Sequence, residues 1–518
     1  MTVRWGKQPG RSFSETCAKT LLMGFISLSL FTGCSSREAA QSDHPTTIVD
    51  RTESVKPKRP DPKRPVSEVP SETVVVPRVD APSMPSQPLP VQIDGPAEQA
   101  RKNPLDPEKI KAQGIRTHSG THLTLYTDLP TTDEIRVLPQ VFDLAVQQWC
   151  AYFKVDPAKM ADWKVTACLI KNREKFNAAG LIPATLPDFA HGYALGDRLF
   201  VQEQPSAYYR RHLLLHEGTH AFMFRNFVSA GPPWFMEGMA ELLAAHRWDG
   251  TTLKMRQMPA NREEVPFWGR VKIIKAKVAQ QQGLMIEEVM NFGSDAHRSV
   301  DAYAWSWAAC VFLDSHPEFQ ERFRAQLKRT IDSSPQFSIE MMEAFGNDWF
   351  QVRQQWQVFV MNLDYGFDIP REAIDTVAER PLKVTPQSVT VRADRGWQST
   401  GIRVTQGMQV ELAASGRFVI HQETGAPGEP PTVWESEAEG VTIRYHKGQP
   451  LGKLLIAVDE IQQRGVTGLV QYGAVGKGGQ IQIPTAGVIY LRMNDSPAEL
   501  KSNQGELQVT LKLAPNAP

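Results

Sequence analysis

The spacing of apolar positions changes several times along this chain, and each change predicts a different kind of structure. Leu21 to Phe31 is a largely apolar stretch of eleven after a segment carrying Arg4, Lys7, Arg11 and Lys19. It is shorter than the roughly 20 residues a membrane-spanning helix needs. Between Ser35 and Ile115 no period survives. From about 116 the pattern resumes. His122 to Asp128 alternates and predicts a strand, Glu134 to Phe153 has helical spacing, and Trp163 to Ile170 predicts a second strand. Residues 190–203 predict a hairpin. Tyr208 to Phe227 holds no proline, and Leu213, Leu214, Ala221 and Phe224 recur at helical spacing. Ser206 stands where an N-cap belongs. The loop Ser229 to Pro233 breaks this helix, and a second runs from Trp234 to His246. Residues 262–365 are mainly helical in pattern.

From about 380 the period becomes two. Val389–Arg392, Ile402–Thr405, Val410–Ala413, Val441–Arg444, Leu454–Ala457, Ile481–Pro484, Val488–Arg492 and Leu507–Lys512 predict short strands separated by Gly, Pro and Asn turns. That spacing predicts a β-sandwich. The expected architecture is an α+β domain over 116–375, with a small mixed sheet, two site-bearing helices and a helical subdomain. An all-β sandwich over 380–518 follows it.

Composition changes the picture mainly at the N-terminus. Of the 38 prolines, 14 fall between Pro45 and Pro107. Residues 34–115 therefore predict an extended, semi-rigid spacer without a core. The short apolar run fits the h-region of an export signal over 1–33. Lys and Arg total 57, as do Asp and Glu, so the net charge is zero and gives no preference for nucleic acid. The five cysteines include Cys17 and Cys34; Cys150, Cys168 and Cys310 remain, and Cys150 with Cys168 is the pair to test as a disulfide.

The candidate chemistry sits at His216-Glu217-Gly218-Thr219-His220. Residues four apart share a helix face, so His216 and His220 can offer two imidazole nitrogens to one metal ion. Glu217 is placed to take a proton from water beside that ion. On the second helix Glu237 and Glu241 also share a face. One of them can complete a site of two His and one Glu, and the other can accept the free ring N–H of a ligand histidine. His212 is read as a bystander, because an open catalytic site needs three protein ligands. Tyr303, in Asp301 to Leu313, is either a donor to a developing oxyanion or a partly buried aromatic, and His297 and Tyr193 are its rivals. The strand ahead of the first helix is expected to offer its edge to a substrate backbone.

This HExxH stretch, followed by Trp234-Phe-Met-Glu-Gly-Met-Ala-Glu241, resembles the gluzincin metallopeptidases. The resemblance implies Zn2+ held by His216, His220 and Glu237, Glu241 as the supporting carboxylate, and Glu217 as general base and proton shuttle. No signature for gripping a substrate amino terminus is present. Thr32-Gly33-Cys34-Ser35 resembles a bacterial lipobox, which implies lipid anchoring through Cys34 in the cell envelope. In the tail, Gly396–Gly401, Gly452–Ile456 and Ile489–Asp495 resemble the PA-I-type galactose-binding lectin sandwich. That likeness implies Ca2+ and sugar held by the loop carrying Asp495, Glu499, Ser502 and Asn503, with Lys501 an unfavourable charge nearby.

Together these readings predict an exported, membrane-anchored zinc peptidase acting on peptide or protein, with a glycan- or envelope-binding sandwich and no nucleic-acid partner. The rival readings are a non-catalytic surface-binding protein with a vestigial or structural zinc site, and a metal-dependent hydrolase of a non-peptide amide in the cell wall.

Overall fold

The computed structural model describes residues 105–295, 299–423, 425, 428–459 and 469–514. The segments expected to be an export signal and a Cys34 anchor, and most of the Pro-rich stretch, lie outside those residues, as does His297. The described part is mixed α/β with a β-rich C-terminal region. Among the described residues, no helix is long and apolar enough to cross a membrane.

The first sheet comprises β1 (Arg116–Ser119), β2 (Leu123–Thr127), β3 (Val165–Ile170), β4 (Gly192–Leu195) and β5 (Arg198–Gln202), in the order β1-β2-β3-β5-β4. β3 pairs in parallel with β2 and β5, so chain reversal on the helix Leu138–Phe153 connects β2 to β3. β4 is antiparallel to β5 and forms one edge. Alternation along the strands sorts side chains between two faces. Leu199 and Val201 join the main core, whereas Phe200, Cys168 and Tyr193 join a smaller cluster on the other side. The helical pattern expected from Glu134 is interrupted: Asp133–Arg136 and Leu138–Phe153 are separate helices meeting at Val137, and Pro139 has no N–H to carry the ladder across.

The helix Ala207–Phe227 lies on the main-core face of this sheet. Ser206 Oγ accepts from the Tyr209 N–H and caps it, as the sequence predicts. Leu213, Leu214 and Ala221 are buried, but Phe224 is at the surface. The second helix, Pro233–Ala244, starts on a proline whose missing N–H is no loss in the first turn. The helix Val300–Ser315 packs against it unusually closely. A Cβ on Gly238 would lie 2.5 Å from both the Ser306 carbonyl oxygen and Cys310 Sγ. Cys150, Cys168 and Cys310 are all buried free thiols, so the Cys150–Cys168 pair is not a disulfide.

The C-terminal region holds two sheets around one core. One orders Leu469–Ala474, Leu454–Asp459, Gly487–Met493, Gln398–Val404 and Arg380–Pro381. The other orders Thr432–Ser436, Phe418–Glu423, Gln504–Leu513, Gln409–Ser415 and Gly478–Gln482, with Gln387–Arg392 also on Gln504–Leu513. Ile402, Ile456 and Leu491 from the first meet Leu412, Phe418 and Val509 from the second. Val441–His446 belongs to neither sheet; it pairs with Gln449–Leu451 as a separate ribbon.

Candidate metal centre

His216 and His220 sit one turn apart on the long helix, and Glu237 reaches them from the second helix. All three are buried. His216 Nε2 lies 3.2 Å from His220 Nε2 and 3.2 Å from Glu237 Oε2. His220 Nε2 lies 3.3 Å from the same oxygen. The three atoms form a nearly equilateral triangle, and this group can hold a metal ion. Tetrahedral ligands at zinc-like bond lengths of about 2.0–2.1 Å stand about 3.3–3.4 Å apart, so the triangle matches three corners of such a site. Its fourth corner has no protein ligand among these residues.

The donor chemistry agrees. Glu237 Oε2 is buried with no donor aligned on it. Three lone pairs converging in a dry site repel unless a cation or a proton sits among them. Without an ion, a proton serves. Burial alone would lower the His216 imidazole, but the close carboxylates of Glu237 and Glu241 and the charge of Glu217 hold its pKa up at about 10. Burial works to raise Glu237, and His220 and His216 pull it down to about 2.

Glu217 is buried beside the triangle. Burial raises its carboxyl, with both imidazoles pulling the other way. Its room comes from Gly192 on β4, where a Cβ would lie 2.3 Å from Glu217 Oε1. Tyr303, near the start of Val300–Ser315, places its ring centroid 5.8 Å from that of His216, edge to face. Burial and then the charges of Glu237 and Glu217 push its phenol up, so it stays protonated and able to donate. Its rival Tyr193 is on the far face of the sheet, 6.3 Å from the Phe189 ring. The alternation that turns Gly192 toward Glu217 turns Tyr193 away.

Glu241 lies behind the triangle. Its Oε1 is 3.4 Å from His216 Nδ1, close but not aligned for a hydrogen bond. The larger part of its bonding was not visible in the sequence. Arg270 Nη2 donates to Oε1 at 2.7 Å and Arg270 Nε to Oε2 at 3.0 Å, while the Trp268 indole N–H also donates to Oε2 at 3.0 Å. Burial opposes the charge, yet Arg270 keeps Glu241 well below the usual carboxylate range. His212, read as a bystander, lies outside the triangle and against Glu241. It is fully buried, with Nδ1 3.1 Å from Ala244 O and Nε2 3.3 Å from Glu241 Oε2. His212, His216 and Glu241 make a second group with metal-ligand spacing. There, however, Glu241 is already neutralised by a two-pronged guanidinium.

In the C-terminal loop the four residues expected to hold calcium bond largely to one another and to Arg444. Asp495 and Asn503 do meet, but the Asn503 amide donates to Asp495 Oδ2 at 2.7 Å. Ser496 N–H takes Oδ1 at 2.7 Å. Glu499 is drawn off by Arg444, 2.7 Å from its Oε1, and Ser502 Oγ donates to the Glu499 carbonyl at 2.9 Å. The loop also packs on the first half of the chain: Asp368 N–H donates to Pro497 O at 3.1 Å, and Gly366 closely faces Ala498. The Asp495 and Glu499 carboxylate oxygens are thus engaged within the fold, while Asn503 Oδ1 is buried with no hydrogen-bond partner.

Nothing in the sequence marked Gly192, Trp268 or Arg270. Each acts across a long chain separation, with no local period to signal it. Comparison with known proteins adds little. No protein-family model matches the chain, and no curated protein matches it. Among solved structures it matches one described as "EclA N-terminal domain; PllA-like lectin", at 20% identity over 24% of this chain and 95% of that chain, with a TM-score of 0.17. A likeness of that score carries no argument about this chain.

Proposed function

We propose that this protein is an exported, membrane-anchored, zinc-dependent peptidase. The observation that carries the reading is the buried Nε2–Nε2–Oε2 triangle of His216, His220 and Glu237 with the carboxylate of Glu217 beside it. Two His and one Glu are a donor set that zinc favours, and three protein ligands leave one position for water or substrate. A purely structural site would be closed by four ligands and would have no need of the adjacent carboxylate. A zinc ion in this cradle supplies Lewis-acid polarisation of a carbonyl and acidifies water.

The chain's own residues account for the rest. Burial lifts Glu217 toward neutrality, which suits its carboxylate oxygen to take a proton from the attacking water and return it to the leaving amine. The protonated Tyr303 phenol donates to the oxygen on which charge develops. β4, an edge strand carrying the glycine that faces Glu217, offers unpaired backbone groups to an extended peptide. The anchoring rests on the Cys34 segment of the sequence. The C-terminal region is the docking half of the enzyme, for a glycan or another envelope polymer.

The test is a matched pair. Wild type and Glu217→Gln are assayed for zinc content and for cleavage of a mixed peptide library. Zinc in both with cleavage in wild type alone is expected. Undiminished cleavage by the variant removes Glu217 from the chemistry. Zinc in both without cleavage by either removes the peptidase reading.

A further inference from the structure

Arg270 is buried at the first position of the helix Arg270–Ala279, and every part of its guanidinium is engaged. Nη2 and Nε take the two oxygens of Glu241, and Nη1 donates to Trp268 O at 3.1 Å. Its Cζ also stands 5.8 Å from the centroid of the Tyr303 ring. One cation therefore touches both the carboxylate behind His216 and the phenol on the site's other flank. The chain reaches this placement through a costly backbone. Phe267 adopts φ 71 with its ring 66% exposed, and Gly269 follows at φ 66. A non-glycine residue in that region is strained and persists where the surroundings impose it.

We propose that Arg270 is a positioning residue of the metal centre, fixing the plane of Glu241 toward His216 and the ring of Tyr303 toward the substrate. The inference rests on the hydrolase reading above. A planar guanidinium holding both oxygens of a carboxylate removes its freedom to rotate. With the Trp268 N–H also on Oε2, Glu241 has fixed directions left for His216 Nδ1 and His212 Nε2. Charge points the same way. Glu217, Glu237 and Glu241 bring three carboxylates into one buried volume, and Arg270 answers one of them. A divalent ion answers the other two. A lysine could supply the charge but not the plane.

The experiment compares Arg270→Gln and Arg270→Lys with wild type and with Trp356→Phe. The last is a control that loses a buried indole hydrogen bond to Leu284 O, remote from the metal ligands. Zinc affinity is measured by chelator competition, kcat and KM at saturating zinc, and the melting temperature without metal. Arg270→Gln is expected to weaken zinc binding by about 10–100-fold and to lower kcat more than it changes KM. Arg270→Lys is expected to regain part of the zinc affinity but little of kcat, and it secures the test if the glutamine variant fails to fold. Zinc affinity and kcat no more affected than in Trp356→Phe would overturn the proposal while leaving the peptidase reading intact. A wild-type protein that binds no divalent metal overturns both.

Discussion

The carboxylate of Glu217 rests where the side chain of any residue but glycine at 192 would be. A Cβ there would stand 2.3 Å from Oε1 and 2.9 Å from Cδ. Edge strand and candidate base are thus fitted to each other by one missing methyl group. Gly192→Ala should push the Glu217 carboxylate aside while leaving His216, His220 and Glu237 in place. A displacement of about 1 Å in a catalytic group can cost about 100-fold in rate, so kcat/KM should fall by that order with zinc content unchanged. Parallel metal analysis and peptide kinetics check it; loss of zinc along with activity would show that Gly192 serves the ligands instead.

Metal binding should release a proton. In the ion-free protein His216, at about 10, holds a proton at neutral pH, and a metal must displace it. Calorimetric titration with zinc in two buffers of different ionisation enthalpy should give about one proton released near pH 7. The same groups shape the stability of the metal-free form. His216 is raised, so its contribution is full below the ordinary 6.5 and is lost as pH rises through about 10. Glu237 is lowered, so its contribution is full above the ordinary 4.5 and is lost as pH falls through about 2. The stabilising effect of this pair in the metal-free protein should therefore be greatest between those ordinary values. Melting curves of wild type and His216→Gln against pH, both without metal, should diverge most in that window.

Glu217 gives a prediction of opposite sign. Its folded pKa is raised, so stability present below the ordinary 4.5 is lost as pH rises. Without metal, Glu217→Gln should melt higher than wild type at neutral pH and no higher at pH 4. An activity-dead variant more stable than its parent is the mark of a charge kept for chemistry. Equal melting at both pH values would mean the carboxylate is not desolvated.

Much of this centre was legible in the sequence because its donors obey a short period. His216 and His220 are one helical turn apart, and Glu237 follows on the next helix. The role of Glu241 behind His216 was legible only as a choice between two acids on one helix face, and its burial was not legible. Arg270 was not, because nothing near Arg270 in sequence says which carboxylate it will meet. In the loop from 495 to 503 the oxygens are visible in the sequence, but the Arg444 that holds Glu499 comes from elsewhere in the chain. Among strands, Phe418–Glu423 and Thr432–Ser436 escaped notice because polar residues interrupt their alternation. Val441–His446 was read as a sandwich strand on its alternation alone, which does not reveal a pairing partner.

Gly238, next to ligand Glu237, should be as intolerant as Gly192 but in another way. A methyl group there would meet the Ser306 carbonyl and Cys310 Sγ, each at 2.5 Å. The sulfur could move or be removed; a carbonyl inside a helix cannot. Gly238→Ala should therefore force the helices Pro233–Ala244 and Val300–Ser315 apart, costing about 1–3 kcal/mol as overpacking does. Because Glu237 and Tyr303 ride on those two helices, zinc affinity and kcat should both fall. Adding Cys310→Ala should not restore either, since the Ser306 carbonyl remains. Full rescue by that second change would place the conflict at the thiol alone.

The joint between the two halves turns on Arg492 and Glu372. Both are buried, with Nη2 3.2 Å from Oε1, and Arg492 also donates to Asp495 O at 3.1 Å. Gly396 leaves the space into which the Glu372 carboxylate fits, since a Cβ there would lie 2.3 Å from its Oε2. Removing one member of a buried pair strands the other, at a cost of about 3–5 kcal/mol, whereas replacing both with apolar groups is often neutral. Arg492→Met should destabilise the chain by that order, and Arg492→Met with Glu372→Leu should recover most of the loss. Denaturant unfolding of the two singles and the double measures the coupling. If the pair also sets how the C-terminal sheets are held against the helical half, the single variant should expose the 495–503 loop to protease while wild type and the double variant resist. Equal protection in all three would confine the pair to stability.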